Sequence, residues 1–377
     1  MSALTVDARD GSARAGRVVT AHGAFDVPAF MPVGTHGAVR SVHPAELRAC
    51  GVQVLLCNAY HLALRPGVAL IRRAGGLHRF MGWEGPILTD SGGYQLVSLA
   101  GVAAVEDDAV TFVSPYDGSR LRVRPEDAVR IQADLGADVV MCLDQPVVWG
   151  TADGVAAQAT QRTLRWAERC RAAAPGGPHL LFGIAQGGFD TEARRQAAMA
   201  TSALGFDGLA IGGLSVGEPG EVMLEMAAAS LDGMPSDLPR YFMGLGTDAE
   251  LLAMVAMGVD MFDCVVPTRL ARNATALTRE GRLALRRAAC RDDLRPVEDG
   301  CGCLCCRDFS RAYLRHLFAA GDILAHRLVT IHNLTHLQRL MEGARDAIRR
   351  RDFAAYREGV GSRLGNEERI AQTTPVN

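Results

Sequence analysis

Short, near-continuously apolar runs recur along the chain, each ending in polar or small residues and each followed by a longer amphipathic stretch. The runs are PAFMPVG (28–34), VQVLLCN (52–58), PILTDSGG (86–93), DVVMCLD (138–144), LLFGIAQGG (180–188), GLAIGGL (208–214), RYFMGLG (240–246) and MFDCVVP (261–267). Unbroken apolarity over so few residues is the pattern of strands buried on both faces of a parallel sheet. Between them lie segments such as RPEDAVRIQADLG, TQRTLRWAERCRAA and TEARRQAAMATSALG, whose apolar positions repeat at helical spacing. Eight strand–helix units predict an α/β protein built as a (β/α)8 TIM barrel. In such barrels the chemistry sits at the C-terminal ends of the strands. Asn58, Asp90, Asp144, Gln186 and Asp263 stand at those ends. A carboxylate in a buried strand is costly unless it is paired or put to use, so the three aspartates are candidate functional groups.

Two segments depart from this rhythm. VTFVSPYDGSRLRVRPED (110–127) alternates around an Asp-Gly pair and predicts a β-hairpin inserted after the third strand. After Pro267 the spacing changes, and the cysteine- and arginine-rich stretch predicts a small C-terminal zinc-binding subdomain, 285–345, within a single catalytic domain spanning 1–377. The last amphipathic helices are expected to close the barrel.

Composition narrows the class. The chain has 377 residues, 48 % hydrophobic and 22 % charged, enough apolar mass for a large core. No run approaches the ~20 apolar residues of a membrane span, and the N-terminal stretch MSALTVDARDGSARAG has no apolar signal core. A cytoplasmic protein is therefore expected, and its ten cysteines are not expected to form disulfides. Six of them, Cys50, Cys57, Cys142, Cys170, Cys264 and Cys290, are scattered and read as small buried hydrophobes. The net charge is only −2, but 17 Arg against 9 Asp and Glu between Pro267 and Arg351 give that stretch +8 and leave −10 for the remainder. Every basic side chain apart from histidine is arginine. A positive last third is what a phosphate-binding face would look like.

The other four cysteines lie in CGCLCC (301–306). Cys301, Cys303 and Cys306 form C-x-C-x2-C, a spacing that lets a short loop wrap a tetrahedral ion. Cys305 is the neighbour of Cys306 and its side chain must diverge, so both do not suit one ion. His316, His326, His332 and His336 follow, and spacing alone does not choose among them. Three thiolates and one imidazole leave no open position, which makes the expected cofactor a single structural zinc ion.

Several longer motifs occur in one order: DSGGYQ (90–95), GLAIGGLSVGE (208–218), YFMGLGT (241–247), FDCVVPTRLARN (262–273), CRDDLRP (290–296), and the cysteine triplet followed 26 residues later by His332. Together they resemble the tRNA-guanine transglycosylase family, in its bacterial homodimeric branch, over nearly the whole chain. The resemblance implies exchange of the wobble guanine of tRNAs with a G-U-N anticodon for a deazaguanine base, without ATP. It implies Asp263 as the nucleophile on the ribose C1′ and Asp90 as the proton-transfer residue. Asp144 would accept from the ring N–H and exocyclic amine of the base. Gln186, Gly213 and Leu214 would read its carbonyl edge, and Tyr94 and Met243 would sandwich it. Ser91, Gly92 and Gly93 would let backbone approach the base. RNA contacts would come from Gly244, Leu245, Gly246, Thr247, Asp248, Ala249 and Glu250, and from Thr268, Arg269, Leu270, Ala271 and Arg272. The resemblance also makes His332 the fourth metal ligand.

The chain departs from the bacterial pattern after the fourth strand. Bacterial members commonly read Asp-Glu-Cys, whereas this chain has Gln145 and Pro146 after Asp144, and Val147-Val148 echoes eukaryotic subunits. Val216 is the bacterial choice. The expected incoming base is the aminomethyl-deazaguanine precursor of queuine, with queuine itself as the alternative. A non-catalytic RNA-binding partner subunit of the same fold is a second alternative, which the retention of Asp90 and Asp263 disfavours. A zinc hydrolase would need an open metal site at strand ends, and His36, His43 and His61 are too scattered to make one.

Overall fold

The computed structural model describes residues 3–94, 103–174 and 176–364. Gln95, the last residue of DSGGYQ, lies outside them.

All eight apolar runs contain a strand: Ala29–Pro32, Leu55–Asn58, Ile87–Asp90, Val139–Met141, Leu180–Ala185, Gly208–Ile211, Arg240–Phe242 and Met261–Cys264. The strands pair in parallel around one eight-stranded sheet, in which the eighth returns beside the first. The last gap, between first and second strands, is bridged by Val33 opposite Leu56, where Gly34 N donates to Leu56 O across 2.7 Å. The sheet is thus a nearly closed barrel of the (β/α)8 type. Each strand is shorter than its run because the polar tail leaves the ladder to form the barrel mouth.

Amphipathic helices cover the outside. Pro125–Leu135 begins with a proline at its first turn, buries Ala128, Val129, Gln132 and Leu135, and ends at the left-handed Gly136. Gln132 ties this helix to the sheet, accepting from Met141 N and donating to Met141 O, both at 2.8 Å. Such satisfied bonds are what allow a polar side chain inside the wall.

The expected hairpin after the third strand is present as Val110–Val113 and Arg120–Val123, but a third strand, Ala103–Val105, joins it. Three residues are too few to leave an alternation signal. An antiparallel sheet of Leu4–Asp10, Ala13–Thr20 and Gly23–Val27 precedes the barrel. Its Arg14 forms a buried 2.5 Å ion pair with Asp260, the residue before the eighth strand, and His22 N donates to Asp138, the residue before the fourth. The sheet therefore lies over the N-terminal end of the barrel, away from the strand ends that carry Asp90 and Asp263.

Beyond the eighth strand come helix Val266–Arg272, a hairpin of Thr275–Thr278 and Gly281–Ala284, the cysteine segment, and the helices Leu304–Asp308, Arg311–Ala320, Ile323–Arg350 and Phe353–Arg363. The long helix closes the outside of the barrel, as expected. Its Gln338 donates to Phe30 O at 2.9 Å and its Arg345 to Pro28 O at 2.7 Å, both at the first strand. Its Asn333 accepts from Leu277 N and donates to Pro267 O and Thr275 O. Among the described residues no helix is long and apolar enough to cross a membrane.

Candidate active site

Asp263 lies within the eighth strand and is partly buried. Its Oδ1 accepts from the Tyr241 hydroxyl at 2.5 Å and from Gly244 N at 2.9 Å. Among the described residues nothing donates to Oδ2. Burial pushes this carboxyl above the usual range, while the bonds from Tyr241 and Gly244 pull it back. Tyr241 is fully buried, and burial together with the Asp263 charge drives its phenol far above its ordinary value. The hydroxyl is therefore a permanent donor. Asp90 ends the third strand, where its Oδ2 accepts from Asn58 Nδ2 at 2.5 Å and its Oδ1 from Ala59 N at 2.8 Å.

Asp144 follows the fourth strand and is buried. Its Oδ2 accepts from Gln186 Nε2 at 2.7 Å, and its Oδ1 from Ser91 Oγ at 3.4 Å. Burial raises its carboxyl to about 6, with the Gln186 and Ser91 bonds opposing and the Asp90 charge adding. Gln186 Oε1 is buried and has no hydrogen-bond partner among the described residues. Two glycines make this crowding feasible. A Cβ on Gly93 would lie 1.9 Å from Asp144 Oδ1, and one on Gly213, whose φ is +67°, would lie 2.2 Å from Gln186 Oε1. The result is a carboxylate and an amide packed against bare backbone, a donor and acceptor set suited to the edge of a purine.

The remaining expected residues divide by position. Leu214 is buried, Met243 is partly buried against the core, and Tyr94 is 57 % exposed. Gly92 has a φ of +92°. The Glu218 carboxylate accepts from Ser215 N and Val216 N, fixing the loop after the sixth strand. In the 244–250 stretch Gly244 and Ala249 are exposed, whereas Leu245, Gly246 and Asp248 are buried. Thr247 Oγ1 donates to Glu250 at 2.5 Å, and Asp248 bonds His336 Nε2 at 2.6 Å. Thr268 and Ala271 are buried, while Arg269, Leu270 and Arg272 reach the surface in part. Arg272 Nη1 has no partner among the described residues, and burial, Arg40 and Arg269 all lower its pKa.

Tyr241 was not foreseen. It acts on Asp263 from the neighbouring strand, where Phe242 pairs with Phe262, and only that register brings the two together.

The cysteine loop settles which histidine joins it. Cys301, Cys303, Cys306 and His332 are all buried, with Sγ atoms 3.8, 3.6 and 3.2 Å from His332 Nδ1. These are near the ~3.6 Å edges of a tetrahedron with ordinary metal–thiolate and metal–imidazole bonds. His332 Nε2 donates to Leu277 O at 2.6 Å, which turns the Nδ1 lone pair inward. The group could hold a metal ion. His336 is committed to Asp248, and Cys305 is buried in the apolar core beside the loop. His22, His78 and Asp138 also lie close together, but their imidazoles stack in near-parallel planes at 3.6 Å and 19°. Both imidazoles bond the Asp138 carboxylate, at 2.9 and 3.0 Å.

The barrel carries three carboxylates at its mouth and a buried Cys3His group that could hold a metal ion after its eighth strand. A family model described as Queuine tRNA-ribosyltransferase matches residues 9–365. Among curated relatives, the Queuine tRNA-ribosyltransferase of Solidesulfovibrio magneticus is 50 % identical over 356 residues, covering 94 % of this chain and 95 % of its own. That of Methylobacillus flagellatus is 49 % identical over 353 residues, covering 94 % and 95 %. That of Thermus thermophilus is 47 % identical over 363 residues, covering 96 % and 94 %. The chain belongs to the queuine tRNA-ribosyltransferase family.

Proposed function

We propose that this chain is a tRNA-guanine transglycosylase that replaces the wobble guanine of G-U-N anticodon tRNAs with a 7-deazaguanine base through a covalent ribosyl–enzyme intermediate. The carrying observation is that both donors to Asp263 end on Oδ1, leaving Oδ2 unengaged. Oδ2 attacks C1′ of the target nucleotide as the C1′–N9 bond breaks, and the departing guanine takes the bonding pair and a proton from Asp90. The incoming base then attacks C1′, its N9-equivalent proton returns to Asp90, and the Asp263 ester bond breaks. Two carboxylates flanking a glycosidic bond run an oxocarbenium-like transition state in this way.

Asp144 accepts from the ring N–H and amino group of the base, Gln186 and the Gly213–Leu214 backbone meet its carbonyl edge, and Tyr94 and Met243 supply its two faces. The target nucleotide must leave the anticodon stack to enter this site. Arg269 and Arg272, on helix Val266–Arg272 directly after the nucleophile's strand, meet the flanking nucleotides. The positive surplus after Pro267 contacts the backbone, so binding weakens with salt. Of the 244–250 loop, Gly244 and Ala249 offer the exposed surface.

The metal is one zinc ion per chain, held by Cys301, Cys303, Cys306 and His332, and it supplies folding stability to the 285–345 subdomain. The enzyme acts as a homodimer in the cytoplasm. The incoming base is the aminomethyl-deazaguanine precursor, in keeping with Val216; competition between the two bases tests this, and exclusive use of queuine overturns it. The reaction itself is tested by labelled guanine and a G-U-N tRNA. Label entering the tRNA with the wild type and not with Asp263→Ala supports it. No label with folded, metal-loaded wild type favours a non-catalytic partner subunit.

A further inference from the structure

Arg194, on helix Thr191–Ala203 after the fifth strand, is completely buried. Among the described residues, none of its hydrogen bonds goes to a carboxylate. Nε donates to Gly188 O at 2.8 Å, Nη1 to Gly212 O at 2.7 Å and Nη2 to Gly213 O at 3.3 Å. Burial lowers its pKa to about 9 while the Glu218 charge acts in the other direction, so the guanidinium is still a cation at neutral pH. A buried cation bonded only to neutral carbonyls is expensive. The acceptors show what it fixes. Gly188 lies two residues past Gln186, and Gly212 and Gly213 directly follow the sixth strand, Gly208–Ile211.

In a trans peptide the C=O and the following N–H point in opposite directions. Holding Gly212 O turns the Gly213 N–H away from Arg194, and holding Gly213 O does the same for Leu214 N–H. Neither N–H has a hydrogen-bond partner among the described residues. The opposite side of this backbone faces the base site: a Cβ on Gly212 would lie 2.6 Å from Gln186 Nε2 and 3.4 Å from Asp144 Oδ2. Two unpaired donors thus leave a backbone that a fixed positive charge supports from behind.

We propose that Arg194 is a positioning residue for the base: it clamps the Gly212 and Gly213 carbonyls so that the Gly213 and Leu214 N–H groups face the carbonyl oxygen of the bound purine. This rests on the base-exchange function proposed above. Donors fixed before the reaction act on charge as it develops. When guanine departs with the C1′–N9 bonding pair, negative charge spreads to its carbonyl oxygen, where these N–H groups and the cation behind them stabilise it.

The test compares guanine with 6-thioguanine, which keeps the ring N–H and the amino group but replaces the oxygen with a weaker acceptor. Inhibition constants against labelled-guanine exchange are measured for wild type, Arg194→Lys and Arg194→Met. A ratio of two constants on one protein does not depend on how much of it is folded. Wild type is expected to prefer guanine by about tenfold, as one good hydrogen bond allows, and both variants to narrow that preference to within twofold. The KM for tRNA should stay within twofold, because the clamp does not touch the RNA-facing residues. Variants that keep the wild-type preference overturn the proposal. If neither variant folds, the wild type decides alone: no preference for guanine over 6-thioguanine means no donors read the oxygen, and the proposal fails. Absence of any guanine exchange by wild type is a different result, and it overturns the exchange function itself.

Discussion

Tyr241 donates its hydroxyl to Asp263 Oδ1 across 2.5 Å from the adjacent strand. The bond joins a fully buried phenol to the proposed nucleophile and fixes which carboxylate oxygen remains available. Tyr241→Phe keeps the ring and removes the donor. A hydrogen bond to a charged group is worth about 1.5–3 kcal/mol, so kcat should fall roughly 10- to 100-fold, with the KM for tRNA unchanged. The bond also lowers the Asp263 pKa. Its removal should therefore shift the acid limb of the kcat–pH profile to higher pH. An unmoved acid limb would show that the phenol does not act on the carboxylate. Asp263→Asn should abolish exchange with a normal thermal melt.

Asp144 carries its proton to unusually high pH, with a pKa raised to about 6 by burial. Only the ionised form offers two proton-free oxygens to the ring N–H and the amino group of the base; the protonated form turns one of them into a donor. The KM for free base should rise as pH falls below about 6 and level off above pH 7. The stability consequence has the opposite sign. The folded state holds the proton where the unfolded chain has lost it, so this group's contribution falls as pH rises from near 4 to about 6. Asp144→Asn should remove that slope, measured by denaturant unfolding across the window, and should bind base poorly at every pH.

Gly93→Ala places a methyl group where Asp144 Oδ1 lies, at 1.9 Å in the present geometry. Asp144 must then move away from Gln186 and Ser91. Base affinity is expected to fall at least tenfold, a loss of the order of one charged hydrogen bond, while tRNA binding by filter assay is retained. Unchanged base affinity would show that the carboxylate has room the structure does not indicate.

Metal removal should act on the fold. Elemental analysis is expected to find one zinc per chain. Prolonged chelation, or Cys306→Ser, should lower the melting temperature sharply and release the thiols to a chromogenic reagent. Zinc held by four protein ligands contributes directly to folding. Activity lost on chelation with the melt unchanged would instead place the metal in the reaction.

The Arg14–Asp260 pair offers a control remote from the mouth. Both side chains are buried, and Arg14 also donates to Ser236 O and Leu238 O. Breaking a buried pair by removing one partner typically costs about 3–5 kcal/mol. Arg14→Met should lose stability of that order in urea unfolding, with the KM values for base and tRNA unaltered.

The barrel was legible because strands buried on both faces leave unbroken apolar runs, and all eight runs became strands. The N-terminal sheet escaped notice, although its signal was present. Leu4, Val6 and Ala8 alternate with Thr5, Asp7 and Arg9, and Gly11 takes a positive φ in the turn that follows. The motif residues were legible as types and places, but their pairings were not. Tyr241 with Asp263, and Arg194 with Gly212 and Gly213, meet through strand register and helix packing, which no local pattern encodes. The choice of His332 over His336 has the same origin. Both lie on one helical face, and Asp248, far away in sequence, takes the second.

Helix Ile323–Arg350 joins two tasks within four turns: His332 faces the cysteine loop, while Gln338 and Arg345 hold the first barrel strand. An α-helix advances about 100° per residue, so Gln338 and Arg345, seven residues apart, share one face, while His332 points to a different one. A single residue inserted between His332 and Gln338 would rotate one group away from its partners while the other stayed in place. The cysteine loop and the barrel wall therefore tolerate substitutions between these points far better than any change in length.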